Sequence, residues 1–400
     1  MQITAIETIR TAEAANILWV EVHTDAGLVG LGETFRSAGA VAAYIHEQVA
    51  PMLLGSDPLA IDHHSRALVQ GYLGYRSSGV EMRAASAIDI ALWDILGQAA
   101  GMPLYQILGG RSRSRIRAYN TCAGRDYNKS GGRREIAPGQ ARMPSAGRYD
   151  DHEAFVHRAD ELAHSLLNEG YSGMKIWPFD IFATATSGQD ISAADLAVGL
   201  QPFAKIRNAV ADRIDIMVEL HGLWNVPAAA KIARALEPYD PYWLEDPIRM
   251  TTAADLAALK RQVKAPICAS ETLATRAAFA EILDAQAVDI VMIDIGWCGG
   301  LSEAKKIAAL AELHHRPVTL HDCTGPVALM SSVHLALNLP NALIQETVRA
   351  YYHGWYRGVV TALPTLEGGC FHPPDDPGLG TRLADDLKGR KDVDVRRSAC

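Results

Sequence analysis

From position 116 to position 346, short apolar runs alternate with Ala- and Leu-rich amphipathic stretches, and this alternation does most to narrow the folds open to the chain. The runs are IRAYNTC (116–122), SGMKIW (172–177), IDIMVELH (214–221), YWLED (242–246), PICASE (266–271), DIVMIDIG (289–296), PVTLHD (317–322) and ALIQE (342–346). Each has the length and apolar content of a buried strand. Between most of them lie stretches such as TAADLAALKRQV and LSEAKKIAALAELHHR, whose apolar positions recur at helical spacing. Eight strand–helix units in succession predict an α/β fold of the (β/α)8 barrel type.

The flanking segments have another texture. ILWVEVHT, the turn Asp25-Ala26-Gly27 and LVGLGE read as a hairpin, because two alternating runs flank a Gly-containing turn. EMRAASAIDIALWDILGQAAG (81–101) has apolar residues at spacings of three and four, and Gly101 followed by Met-Pro stops it as a helix. Residues 1–115 are therefore expected to form an α+β unit, 116–355 the barrel, and 356–400 a Pro/Gly-rich segment that packs back on the first unit. Residues 124–150 and 180–200 break the barrel rhythm. Both follow strands, so both are expected over the C-terminal mouth, where long loops serve function or stay mobile.

Composition bounds the partners. The 400 residues are 48% hydrophobic and 21% charged with a net charge of −8, and acidic and basic residues are mixed throughout. No nucleic-acid footprint is expected from such a pattern. No apolar run is long enough to span a bilayer, and the N-terminus alternates like a strand rather than like a signal peptide. The six cysteines form no CxxC pair, so a zinc site or disulfide framework is not expected and reduced thiols in the cytoplasm are.

Polar residues gather at the predicted strand ends. Strands three, four and five finish on Glu219, Glu245 and Glu271, separated by 26 residues each time. On adjacent barrel strands this spacing brings three carboxylates to one place at the mouth. Unpaired they repel; a hard divalent cation resolves the repulsion, and all-oxygen ligation favours Mg²⁺. Strand six carries Asp294 and strand seven His321. Paired, they make an imidazole of fixed tautomer and raised basicity, suited to a general base. His221 lies two after Glu219 and, on a strand, faces the same way. Lys175 lies on strand two and Glu346 ends strand eight. No His-x-His pair on an early strand suggests a metallohydrolase.

Taken together, AASAIDIALWDILGQAAGMPLYQILGG (84–110), MKIW (174–177), VELH (218–221), WLEDP (243–247), ASET (269–272), DIGWCGGLSEAKKIAALAE (294–312), LHDCTGP (320–326) and IQE (344–346) resemble the mandelate racemase subgroup of the enolase superfamily, and within it the acid-sugar dehydratases of the galactonate and mannonate type. The resemblance covers nearly the whole chain. It implies a modified TIM barrel under an α+β capping domain built from both chain ends, and a homo-oligomer. It implies chemistry that removes the proton α to a carboxylate, with Mg²⁺ on Glu219, Glu245 and Glu271. It makes His321, oriented by Asp294, the base. It makes Lys175 the group that neutralises carboxylate charge, and Glu346, protonated or strongly hydrogen-bonded, the contact to the other carboxylate oxygen.

Two departures from the family pattern matter. Many relatives carry Lys-x-Lys on strand two; here the second position is Trp177, which accepts no proton. At strand three the dehydratases carry Asp-x-His, whose His is the acid for the departing hydroxyl; here Glu219 and His221 make it Glu-x-His. The expected reaction is loss of the C2 proton and the C3 hydroxyl of an aldonate or aldarate, giving a 2-keto-3-deoxy acid. His221 has two other readings, a second base or a hydrogen-bonding support. An epimerase or cycloisomerase on an acid sugar or its lactone, and a non-catalytic acid-sugar binder, are the alternatives. Arg36, Tyr75 and Arg76 are expected to contact substrate from the capping domain, and Trp177, Trp224 and Trp297 either wall the cavity or pack the core.

Overall fold

A computed structural model of the chain describes residues 1–70, 77–127 and 149–400. Strands Ile3–Thr11, Ile17–Thr24 and Val29–Phe35 form an antiparallel meander. The last strand of the chain, Val393–Ala399, pairs antiparallel with Ile3–Thr11 at the outer edge, so both chain ends meet in one four-stranded sheet. Helix Val80–Ala100 lies across this sheet and ends where the sequence predicts, on Gly101 in the left-handed conformation with φ of 64°. The close seat of this helix explains the Gly-x-Gly of the third strand. A Cβ at Gly30 would lie 2.0 Å from the Ala91 carbonyl oxygen, and one at Gly32 1.8 Å from that of Ala87. Small residues on both elements let backbone approach backbone.

The eight barrel strands are Ile116–Thr121, Gly173–Ile176, Asp215–Glu219, Trp243–Glu245, Ile267–Ala269, Ile290–Ile293, Val318–Leu320 and Ala342–Thr347. Each pairs in parallel with the next, and the eighth pairs with the first, which closes the barrel. Its interior is filled by Tyr119, Met217, Trp243, Cys268, Ile290, Met292 and Ile344. The rest of the core lies between strands and outer helices. The hairpin Thr365–Glu367 and Cys370–His372 adds to the barrel by pairing Phe371 with Ile116, so the C-terminal segment serves both halves of the molecule. No helix among the described residues is long and apolar enough to cross a membrane, and no two cysteines are joined in a disulfide.

Buried carboxylates dock the sheet unit onto the barrel. Glu33 is fully buried and accepts hydrogen bonds from Trp19 Nε1 (2.7 Å) and from the backbone N–H groups of Val327 (3.2 Å) and Ala328 (3.0 Å). The last two open helix Pro326–Asn338, whose unpaired N–H groups and positive dipole end attract an anion. Asp89 does the same at helix Gly300–Leu313, accepting from Ser302 N at 2.9 Å. Burial pushes both carboxyls up to about 7, against the pull of these donors. Glu33→Ala leaves three buried donors without an acceptor and is expected to destabilise the fold by about 2–4 kcal/mol. Urea denaturation followed by fluorescence checks this; a loss below about 0.5 kcal/mol would remove Glu33 from the docking role.

Candidate active site

Glu219 and Glu245 are the last residues of strands three and four and pair directly in register. Glu271 lies two residues beyond strand five, one step further out than the sequence suggests. Each carboxylate offers one oxygen, and the three oxygens lie within 4.8 Å of one another. Strand direction explains the gathering: parallel strands of a closed barrel end on one rim. Lys175, from strand two, is buried with its Nζ 2.5 Å from Glu245, 2.8 Å from Glu346 and 3.5 Å from Glu219. Burial alone would lower the Lys175 pKa, but Glu245 and Glu346 outweigh it and hold the ammonium well above its ordinary value. Burial, with the neighbouring Glu245 charge, pushes Glu219 well up. One ammonium does not balance this many carboxylates, and three converging oxygen donors fit a hard divalent cation.

His321 and Asp294 each stand one residue past their strands, at matching positions, because Leu320 pairs with Ile293. The His321 Nδ1–H donates to Asp294 Oδ2 at 2.6 Å, while Nε2 lies 2.7 Å from Glu271 and 3.9 Å from Glu346. Burial would lower the imidazole pKa, yet the Glu271 and Glu346 charges and the Asp294 bond together raise it well above its ordinary value. Glu346 accepts from Asp322 N at 3.0 Å and from the Thr121 hydroxyl. Its carboxyl is buried, but Lys175 and His321 hold it below the usual value.

His221 reaches the site by a different route from the one expected. Strand three stops at Glu219, and His221 sits in the following turn with φ of +48°. The period-two argument therefore does not place it. Its backbone N–H donates to Glu219 Oε1 at 2.6 Å, and its ring packs edge-on against Trp177 with centroids 5.8 Å apart. Its Nδ1 lies 2.5 Å from Asp180 Oδ2. Asp180 opens a helix, Asp180–Thr186, inside the segment after strand two. No sequence argument singled it out, because its partner is 41 positions away on another loop.

A cavity at the barrel mouth is lined by Lys175, Glu219, His221, Glu271, His321 and Glu346, together with Arg36, Trp177 and Trp297. Phe35, Thr121, Tyr127 and Cys323 line it too and were missed. Thr121 ends strand one, so the rule that found the glutamates applied to it equally. Glu245 and Asp294 stand behind the lining, against Lys175 and His321. Of the two readings open for Trp224, core packing is the one found: it is buried with the outer cluster. Tyr75, Arg76 and most of the loop 124–150 lie outside the described residues. The Phe35 and Trp297 rings stack at 5.8 Å, and Arg83 lies over Trp297 at 5.0 Å. The buried indole N–H groups of Trp177 and Trp297 have no hydrogen-bond partner among the described residues.

Comparison with known proteins places this arrangement. Residues 3–109 match the N-terminal domain model of the mandelate racemase / muconate lactonizing enzyme family, and residues 158–387 match the enolase C-terminal domain-like model. The D-xylonate dehydratase of Haloferax volcanii is 31% identical over 391 residues, spanning 96% of this chain and 87% of that protein. The D-galactonate dehydratase of Ralstonia nicotianae is 30% identical over 396 residues, spanning 97% and 93%. Among solved structures, a mandelate racemase subgroup enolase from Agrobacterium tumefaciens is 50% identical with a TM-score of 0.88, covering 100% of this chain and 99% of its own. An enolase protein from Sargasso Sea environmental sequencing is 47% identical with a TM-score of 0.89 over the same shares. With both family models matched in order and the rim of acidic strand ends in place, the chain belongs to the mandelate racemase subgroup of the enolase superfamily.

Proposed function

We propose that this protein is a Mg²⁺-dependent dehydratase of a sugar acid. The observation that carries the reading is the meeting, at the base of one cavity, of three converging carboxylates, two of them in its lining, with two imidazoles, each paired to its own aspartate. Relatives named for D-xylonate and D-galactonate support a sugar-acid substrate. Bound to Glu219, Glu245 and Glu271, Mg²⁺ supplies Lewis-acid stabilisation of the charge that develops on the substrate carboxylate.

The chain's own groups account for the proton movements. His321, held by Asp294, takes the proton from C2 on Nε2. Lys175 orients the carboxylate end by charge, and Glu346 orients it by hydrogen bonding, for which its carboxyl carries a proton in the complex. His221 gives its proton to the C3 hydroxyl as the C3–O bond breaks, and water leaves. The resulting enol tautomerises, losing its C2 hydroxyl proton as C3 gains one, to give the 2-keto-3-deoxy acid. Trp177 stands where a second-strand base would be, so no lysine serves the opposite face. Trp177 and Trp297 donate their indole N–H groups to substrate oxygens, which accounts for two buried donors with no partner among the described residues. A second reading, inversion at C2, is favoured by one observation: His221 and Asp180 form a pair of the same kind as His321 and Asp294, able in chemical terms to serve as a second base.

Proton NMR in D₂O with Mg²⁺ and a panel of aldonic and aldaric acids separates the two. A 2-keto-3-deoxy product supports dehydration; inversion at C2 without water loss establishes the second reading instead. His321→Asn is expected to lower C2 exchange and product formation together by at least about 10²-fold with folding intact. Exchange at the native rate would remove His321 from the base role. His221→Asn is expected to lose product while C2 exchange continues; normal product would exclude His221 as the acid. Trp177→Phe and Trp297→Phe each remove one donor and are expected to raise KM about 5- to 20-fold with a smaller effect on kcat. Unchanged KM in both would show that neither indole N–H meets substrate.

A further inference from the structure

The second imidazole is built into the barrel mouth as firmly as the first. Asp180 follows Trp177-Pro178-Phe179, and the Phe179 ring is fully buried, stacked on Phe203 of helix Ala193–Val210 at 5.9 Å. Gly199 of that helix makes the room: a Cβ there would lie 2.5 Å from the Phe179 ring. The same segment is sewn to the turn that carries His221. Asn225 N donates to the Gly188 carbonyl at 3.0 Å and Asn225 Nδ2 to that of Gln189 at 3.0 Å. A Cβ on Gly188 would overlap the Leu223 carbonyl, so the two loops touch along their backbones. Asp180 thus arrives at His221 on a packed support. Its side chain is fully buried and that of His221 is 11% exposed.

We infer that Asp180 is a positioning residue for His221, accepting the Nδ1 proton so that Nε2 is the ring nitrogen that serves the cavity. Three contacts then fix the imidazole: the backbone N–H on Glu219, Nδ1 on Asp180, and the ring edge on Trp177. A carboxylate only accepts, so it keeps a hydrogen on Nδ1 in either protonation state, and the proton that His221 gives to the leaving group is a second one, carried on Nε2. Without it the ring is free to place that hydrogen on Nε2 and to turn about χ2. The role extends the proposed function, because it assigns a device to the residue that serves the leaving group. It differs from the Asp294 role only in which imidazole it sets.

The test begins with long-range ¹H–¹⁵N spectra of enzyme labelled with [¹⁵N]histidine, which need no substrate. His221→Asn identifies the His221 signals by subtraction. The wild type is expected to carry the His221 proton on Nδ1, and Asp180→Asn to lose that preference. The same tautomer in both would overturn the inference. Kinetics on whichever reaction the wild type catalyses gives the second arm. Asp180→Asn is expected to lower kcat by about 10²- to 10⁴-fold with KM within about threefold, and to make the His221→Asn enzyme no slower when combined with it. Losses that multiply in the double variant would show Asp180 acting apart from His221. Asp180→Ser gives the same comparison if Asp180→Asn does not fold. Should the wild type invert C2 instead of forming a 2-keto-3-deoxy acid, the dehydratase reading fails, while tautomer and double variant still decide the part played by Asp180.

Discussion

Lys175 stands at the centre of the barrel mouth with three carboxylates, Glu245, Glu346 and Glu219, within 3.5 Å of its ammonium. Two unit charges at the 4.8 Å that bounds the Glu219, Glu245 and Glu271 oxygens repel by about 3–4 kcal/mol at an effective dielectric near 20. A single ammonium offsets part of this and leaves the rim with excess negative charge. Burial first, and the Glu245 charge after it, drives the Glu219 carboxyl up, and the excess leaves Glu271 with His321 drawn against it at 2.7 Å. The arrangement favours whatever brings positive charge into the space among the three glutamates. It also means that the rim contributes little to folding, and that the frame holding it must be stable for other reasons.

That frame is the docking of the sheet unit on the barrel, and it engages the two connections that carry the dyad. Asp89 caps the helix that follows strand six and Asp294; Glu33 caps the helix that follows strand seven and His321. Thr34 Oγ1 donates to the Gly296 carbonyl at 2.8 Å, and Arg83 Nε donates to the Phe35 carbonyl at 3.0 Å. Through these bonds the chain around Arg36, which has φ of 69°, and the loop after Asp294 form one wall of the cavity. The cavity lining from the sheet unit and the His321 imidazole are therefore set by a common frame. A substitution in the first 100 residues can alter the position of His321 without lining the cavity itself.

The barrel was legible because its determinants are local. Apolar runs of strand length, helical spacing between them, and Gly101 as a stop are all read within a few residues, and acidic residues at successive strand ends are read from spacing alone. The site was legible only where position along a strand decides geometry. Glu219, Glu245, Asp294 and His321 obey that rule. His221 reached the cavity for another reason, a left-handed turn that no alternation pattern encodes. Asp180 was hidden because it lies in a loop whose course depends on Phe179 finding the gap at Gly199, a contact made only in the folded chain. Trp224 stayed open between wall and core for the same cause: an indole beside a strand end packs inward or outward according to neighbours that sequence distance conceals.

The Glu at position 219 joins these threads. An aspartate there would end one methylene nearer the strand. The longer side chain turns so that Oε1 accepts the His221 N–H at 2.6 Å while Oε2 faces Lys175 at 3.5 Å. A non-glycine residue at φ of +48° is strained, by something on the order of 1 kcal/mol or more, and a charge-assisted bond to its own N–H offsets that cost. The group that offers an oxygen to the cation site therefore also holds the backbone of the candidate acid. Asp180 and Trp177 restrain the ring itself, so backbone and ring of His221 are held from three sides.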